Sequence, residues 1–129
     1  MAHQFQKHYT REEARALLPQ IRQWLDQLVL LRTDLEKNNR RVDGLMASGQ
    51  DQGGDLVNRS IRLLSEMKTL FLEFQSREIL IKELERGLID FPAIIGGREV
   101  FLCWEKGDAD IEFWHDIDSG YAGREPLES

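Results

Sequence analysis

The chain has 129 residues, of which 41% are apolar and 31% charged, and a formal net charge of -6. That composition fits a soluble protein with room for one core, so a single domain spanning 1–129 is expected. It excludes a membrane-spanning class, because no apolar run nears the roughly 18–20 residues that a bilayer crossing needs.

Thr10-Arg11-Glu12-Glu13 reads as a capping box that opens a helix. Apolar residues then recur in steps of three and four: Ala14, Leu17, Ile21, Trp24, Leu28, Leu31, Leu35, Val42 and Leu45. This stripe predicts a long coiled-coil-like helix. Pro19 predicts a kink, or a short first helix running into a long one. Asn38 is the polar member of the stripe. It either pins the register against a second helix or is solvated near the loop. Lys37, Arg40 and Arg41 read as a solvated face.

Asp43-Gly44 and the segment Ser48 to Gly54 form a flexible connection, with Asp55 as the N-cap of a second helix. Its seam is Leu56, Ser60, Leu63, Met67, Leu70 and Phe74. A second stripe, Val57, Ile61, Leu64 and Phe71, lies beside it. The two helices predict an antiparallel hairpin over 10–78. A hairpin roughly 40–54 Å long exceeds what the remaining residues can cover. The second stripe therefore predicts a homodimer.

A small antiparallel sheet of three to four strands is expected over 79–127, making the fold α+β. Ile79–Leu84 is either the end of the second helix or, preferably, a strand turning through Gly87 into Leu88–Phe91, with Pro92 closing that segment. Glu99–Trp104 and Ile111–His115 predict a hairpin around a loop at 105–110. With Cys103 beside Glu112, strand alternation puts Cys103 and His115 on opposite faces. That disfavours a Cys–His nucleophilic pair. It also leaves too few ligands for zinc. Asp108-Ala109-Asp110 lacks the glycine and glutamate spacing of a calcium loop. No metal site and no cofactor is expected. His3 and His8 fall in what reads as a mobile tail.

Residues 1–86 hold 14 Lys and Arg against 13 Asp and Glu, whereas residues 87–129 hold 3 against 10. The acidic sheet module disfavours nucleic acid, which needs clustered cations. The N-terminal residues lack the apolar stretch of a signal peptide, so a cytoplasmic location is expected. A membrane partner is not expected.

The runs G-L-I-D-F-P at 87–92, G-R-E-V-F-L-C-W at 97–104, F-W-H-D at 113–116 and G-Y-A-G-R-E-P-L at 120–127 resemble an uncharacterised bacterial family, domain of unknown function 2203. The opening T-R-E-E-A-R-A-L-L-P-Q-I is similar too. The resemblance implies a small bacterial cytoplasmic protein and carries no activity with it. It also leads to the expectation of a glycine near Gln75–Glu78, where this chain has none.

His115 is a candidate general base, oriented by Asp90, or simply a core-edge histidine bonded to a carboxylate or backbone. Arg124, between turn glycines, is a candidate anion binder or the salt-bridge partner of Asp90 or Asp116. Cys103 reads as a buried apolar filler. Phe101 and Trp114 are expected to form an aromatic patch on the outer sheet face, a partner surface. The leading expectation is a non-enzymatic dimeric interaction module that engages a protein partner. The alternative is a small-molecule-binding protein or enzyme with its site at Asp90, Arg98, His115 and Arg124.

Overall fold

The structure is a computed structural model that describes residues 3–49 and 54–127. Two helices, α1 (Arg11–Ala47) and α2 (Gly54–Ser76), precede a five-stranded antiparallel sheet. The strands are β1 (Leu80–Glu83), β2 (Leu88–Ile95), β3 (Arg98–Trp104), β4 (Phe113–Asp116) and β5 (Glu125–Pro126), paired in chain order. The fold is α+β, with five strands where three to four were expected. The added strand is the short β5, whose two residues pair with Phe113 and Trp114. The chain divides into two compact units, one of residues 1–23 and 73–129, the other of residues 24–72.

In the first unit the capping box forms as read. The Thr10 amide donates to Glu13 at 2.9 Å, and the Glu13 amide donates to the Thr10 hydroxyl at 3.1 Å. Helix α1 continues through Pro19 without a break. Pro19 is exposed, so the intrahelical bond it removes falls on the solvent side. Ala14, Leu18 and Ile21 are the buried positions, and Leu17 is only half-buried. Ala14 and Ile21 of the expected stripe are thus buried, and Leu18 takes the place of Leu17 between them.

The strand reading of the segment after α2 holds, with β1 opening at Leu80. The turn into β2 places Gly87 at φ +63°, which glycine adopts at no steric cost. The β2–β3 turn has two central residues, Gly96 and Gly97, both with positive φ. Such a two-residue turn suits the twist of a hairpin. Pro92 does not close the second segment. Strand β2 passes through it to Ile95. The Pro92 carbonyl accepts from the Tyr9 amide at 2.7 Å rather than from a strand. In an antiparallel strand a residue's N–H and C=O share one side, so the missing N–H also points away from the β3 ladder.

Residues 4–8 are not a loose tail. Glu99 accepts from the amides of Gln4 and Phe5 and lies 2.7 Å from His8 Nε2. Burial pushes the Glu99 carboxyl up, but these hydrogen bonds together outweigh it and hold the group below the usual carboxylate range. Glu78 accepts from the amides of Gln6 and Lys7. Its own φ is +56°, in the segment where the family resemblance leads to a glycine.

In the second unit Leu25, Leu28 and Leu63 are buried, and Leu56, Ser60, Met67 and Leu70 are half-buried as the seam predicts. Trp24 is only half-buried. Asn38 is 2% exposed, which removes the solvated reading. Its Nδ2 donates to the Leu56 carbonyl and to Ser60 Oγ, tying α1 to the first turns of α2. Lys37, Arg40 and Arg41 are exposed. Of the expected flexible connection, Asp43 and Gly44 lie inside α1, Gly54 and Asp55 open α2 so that Asp55 is not its N-cap, and residues 50–53 lie outside the described residues.

A Cβ added at Gly87 would lie 2.6 Å from Lys106 Cβ, on a backbone that already disfavours a side chain. Gly87→Ala should therefore cost about 1–3 kcal/mol in urea unfolding, whereas Gly44→Ala, which meets nothing within 4 Å, should be neutral or mildly stabilising.

Candidate functional site

Strand register decides what the sheet presents. Phe101 pairs with His115 and Cys103 with Phe113. The expected pairing put Cys103 beside Glu112. The true pairing is one residue away, and a one-residue slip turns every side chain of β4 to the other face. The predicted separation of Cys103 from His115 is thereby overturned. The cause is the β3–β4 connection, which runs on through Ile111 and Glu112 before pairing resumes. Its own bonds shape it. Asp108 accepts from the Glu105 amide and Trp104 Nε1 donates to the Asp108 carbonyl. Arg15 grips Asp110 with two bonds, of 2.8 and 2.9 Å. The Asp108–Asp110 stretch is thus held by side chains of α1.

Asp90 pairs with Cys103 across β2 and β3 and so shares that face. Three titratable side chains meet there: Asp90, Cys103 and His115, exposed by 1%, 1% and 3%. Their ligating atoms all lie within 4.8 Å of one another. His115 Nε2 is 3.1 Å from both Asp90 oxygens. Its Nδ1 is 2.8 Å from the Asp116 carbonyl, which only accepts, so Nδ1 carries the hydrogen. The core-edge reading of His115 and the Asp90 partnership are thus both present in one contact set.

Burial pushes the Asp90 carboxyl above the usual range, against the lowering pull of His115. Burial likewise pushes the Cys103 thiol up to about 12, with the Asp90 charge adding to it. A cavity of about 250 Å³ opens on the cluster. Lys82, Leu88, Ser119, Gly120 and Tyr121 complete its lining.

Of the remaining candidates, Arg98 does not join this cluster. It lies on the opposite face, 2.9 Å from Asp116. Arg124 pairs with neither Asp90 nor Asp116. Its guanidinium sits 3.9 Å from the Phe113 ring centre and 4.1 Å from that of Tyr121. Its Nη1 is buried with no hydrogen-bond partner among the described residues. The Phe101–Trp114 patch does not exist. Phe101 is 3% exposed, under Phe5 and beside His115, and Trp114 is on the other face beneath Arg98. Lys82, Ser119 and Tyr121 were missed in the sequence. Ser119 and Tyr121 flank the turn glycine Gly120, which does not specify a face, and Lys82 carries no signal beyond its place in β1.

A family model described as "Uncharacterized conserved protein (DUF2203)" matches residues 7–127. The chain belongs to that family. No curated protein and no solved structure matches it. The family's description names no activity, so the chemistry rests on the geometry of the cluster.

A thiol pushed up this far stays protonated and slow to react. Iodoacetamide at pH 8 should label Cys103 at least 100-fold more slowly in the native protein than in urea, read by mass spectrometry. The sign for stability follows. The folded state holds this proton above the unfolded value, so stability is full below about pH 8.5 and falls as pH rises towards 12. The Tyr9 hydroxyl, raised by burial to about 12, adds loss in the upper part of that window.

Proposed function

We propose that the chain is a small-molecule-binding protein, with the groups for acid–base chemistry, whose site is the cavity over Asp90, Cys103 and His115. One observation carries this reading: three titratable side chains are almost wholly buried yet line a cavity. Packing alone would be served at lower cost by apolar residues. A cavity of about 250 Å³ is smaller than those that hold drug-sized ligands. Lys82 in its lining and the Arg124 guanidinium, stacked on the lining residue Tyr121 with Nη1 unpartnered among the described residues, favour a small anion. Within that pocket His115 and Asp90 would exchange a proton with the bound molecule. Differential scanning fluorimetry in metal-free buffer tests this with a panel of small carboxylates and phosphate. At ten times Kd a ligand adds about 1.4 kcal/mol, or about 5 °C in Tm. Lys82→Met, at an exposed position, should abolish the shift. Absence of a shift with every anion, together with no retained molecule in native mass spectrometry, would overturn the reading.

A second observation favours self-association. Val57, Ile61, Leu64 and Phe71 are 44%, 57%, 53% and 39% exposed along α2. Their spacing of four, three and seven residues is that of a helix seam. A second copy presents the same seam, and a two-fold pairing would bring α2 against α2. On this reading the helices form an antiparallel, coiled-coil-like hairpin within one domain of a bacterial cytoplasmic protein. Light scattering at tens of micromolar should give twice the chain mass of 15.0 kDa. Ile61→Lys with Leu64→Glu should halve it. A wild-type mass of one chain would remove the dimer and leave the cavity reading intact.

A further inference from the structure

We propose that Asp90, Cys103 and His115 form a binding site for a single zinc-class divalent metal ion, with one coordination position open to the cavity. This deepens the reading of the cavity as a binding site, on which it rests.

The donor set comes first. A thiolate, an imidazole nitrogen and a carboxylate are the three side-chain ligand types that zinc takes. All three donors lie within 4.8 Å of one another. The 3.1 Å separation of His115 Nε2 from the Asp90 oxygens is close to the edge of a tetrahedron with metal bonds of about 2.0–2.1 Å. The strands hold these atoms. Asp90 and Cys103 are cross-strand partners, and His115 lies on the diagonal from Cys103.

The tautomer comes second. His115 Nδ1 donates to the Asp116 carbonyl, which directs the Nε2 lone pair towards Asp90. A backbone carbonyl behind one ring nitrogen is the usual arrangement that orients a metal-binding histidine. Two acceptors facing each other at 3.1 Å require a proton or a cation between them. A divalent ion supplies that charge and also converts the thiol to thiolate. The ion with one carboxylate, one thiolate and one neutral imidazole is then electrically neutral, which suits a site this deeply buried.

The fourth position comes third. Three protein ligands and an open site are the pattern of a catalytic rather than a structural zinc. Ser119, Gly120 and Tyr121 line the same cavity and face whatever occupies that position. A small anion bound there would complete the tetrahedron.

The test uses the full chain, stripped with chelator, exchanged into chelator-free buffer and titrated with Co²⁺ and then Zn²⁺. One equivalent of Co²⁺ should give tetrahedral d–d bands and a thiolate-to-cobalt charge-transfer band, both displaced by one equivalent of Zn²⁺. Zn²⁺ should also protect Cys103 from alkylation in urea-free buffer adjusted to high pH. Cys103→Ala, a small apolar replacement, should lose the charge-transfer band and weaken Zn²⁺ binding by at least 100-fold, with circular dichroism reporting the fold. Asp90→Asn should weaken binding while keeping the charge-transfer band. A folded wild type with no thiolate band overturns the proposal, and so does Zn²⁺ binding that survives in Cys103→Ala. In the second case His3, His8 and Glu99, the other cluster among the described residues, would be the holder, shown by loss of binding in His8→Ala. Anion shifts in metal-free buffer would persist if the metal proposal alone failed.

Discussion

The pairing register of β3 with β4 is the constraint on which the proposed site depends. Because side chains alternate strictly along a strand, the register assigns each residue of Phe113–Asp116 to one of two surfaces with no intermediate arrangement. It sends His115 to Cys103 and Asp90, and it sends Trp114 and Asp116 to Arg98. The same rule in β2 fixes Asp90 beneath its neighbours and Phe91 on the surface where Tyr9 packs. Two glycines at the β2–β3 turn anchor the pairing of β2 with β3, and a self-bonded loop anchors that of β3 with β4.

Burying Asp90, Cys103 and His115 together opposes folding unless each group finds a partner. The sheet provides those partners only in part. Both ring nitrogens of His115 have a partner, Nδ1 at the Asp116 carbonyl and Nε2 at Asp90, and Asp90 also lies against the Cys103 thiol. The arrangement is closed on the strand side and open on the side of Ser119 to Tyr121. A polar core that is satisfied on one side and faces a cavity on the other differs from a structural ion pair, which is enclosed all round. That asymmetry is what supports the proposed site.

Much of the fold was legible in the residues. The capping box, the α2 seam and the β1 strand each rest on a local pattern with a local physical cause. Asp90 as the partner of His115 was also readable, since a buried histidine seeks a carboxylate. What failed did so through non-local geometry. The length of the β3–β4 connection could not be counted, because Ile111 alternates like a strand residue yet is buried outside one. Counting it as paired moved His115 to the wrong surface and hid the cluster. Pro92 looked like a terminator because nothing in the sequence says that Tyr9 returns to bond its carbonyl. The anchoring of residues 4–8 by Glu78 and Glu99 spans 70 or more positions and has no sequence periodicity to show it.

Glu78 shows how one backbone position can answer to two demands. Its left-handed conformation is one that a glycine would adopt freely, and its carboxylate holds the amides of Gln6 and Lys7. A glycine there would relax the turn into β1 and release the amides of Gln6 and Lys7. A glutamate holds those amides and carries the conformational strain permanently. Without Glu78 the amides of Gln6 and Lys7 would need another acceptor, while Glu99 would still hold those of Gln4 and Phe5. The side chain at one turn thus fastens the two residues that follow Phe5, the ring that packs on Phe101 beside His115.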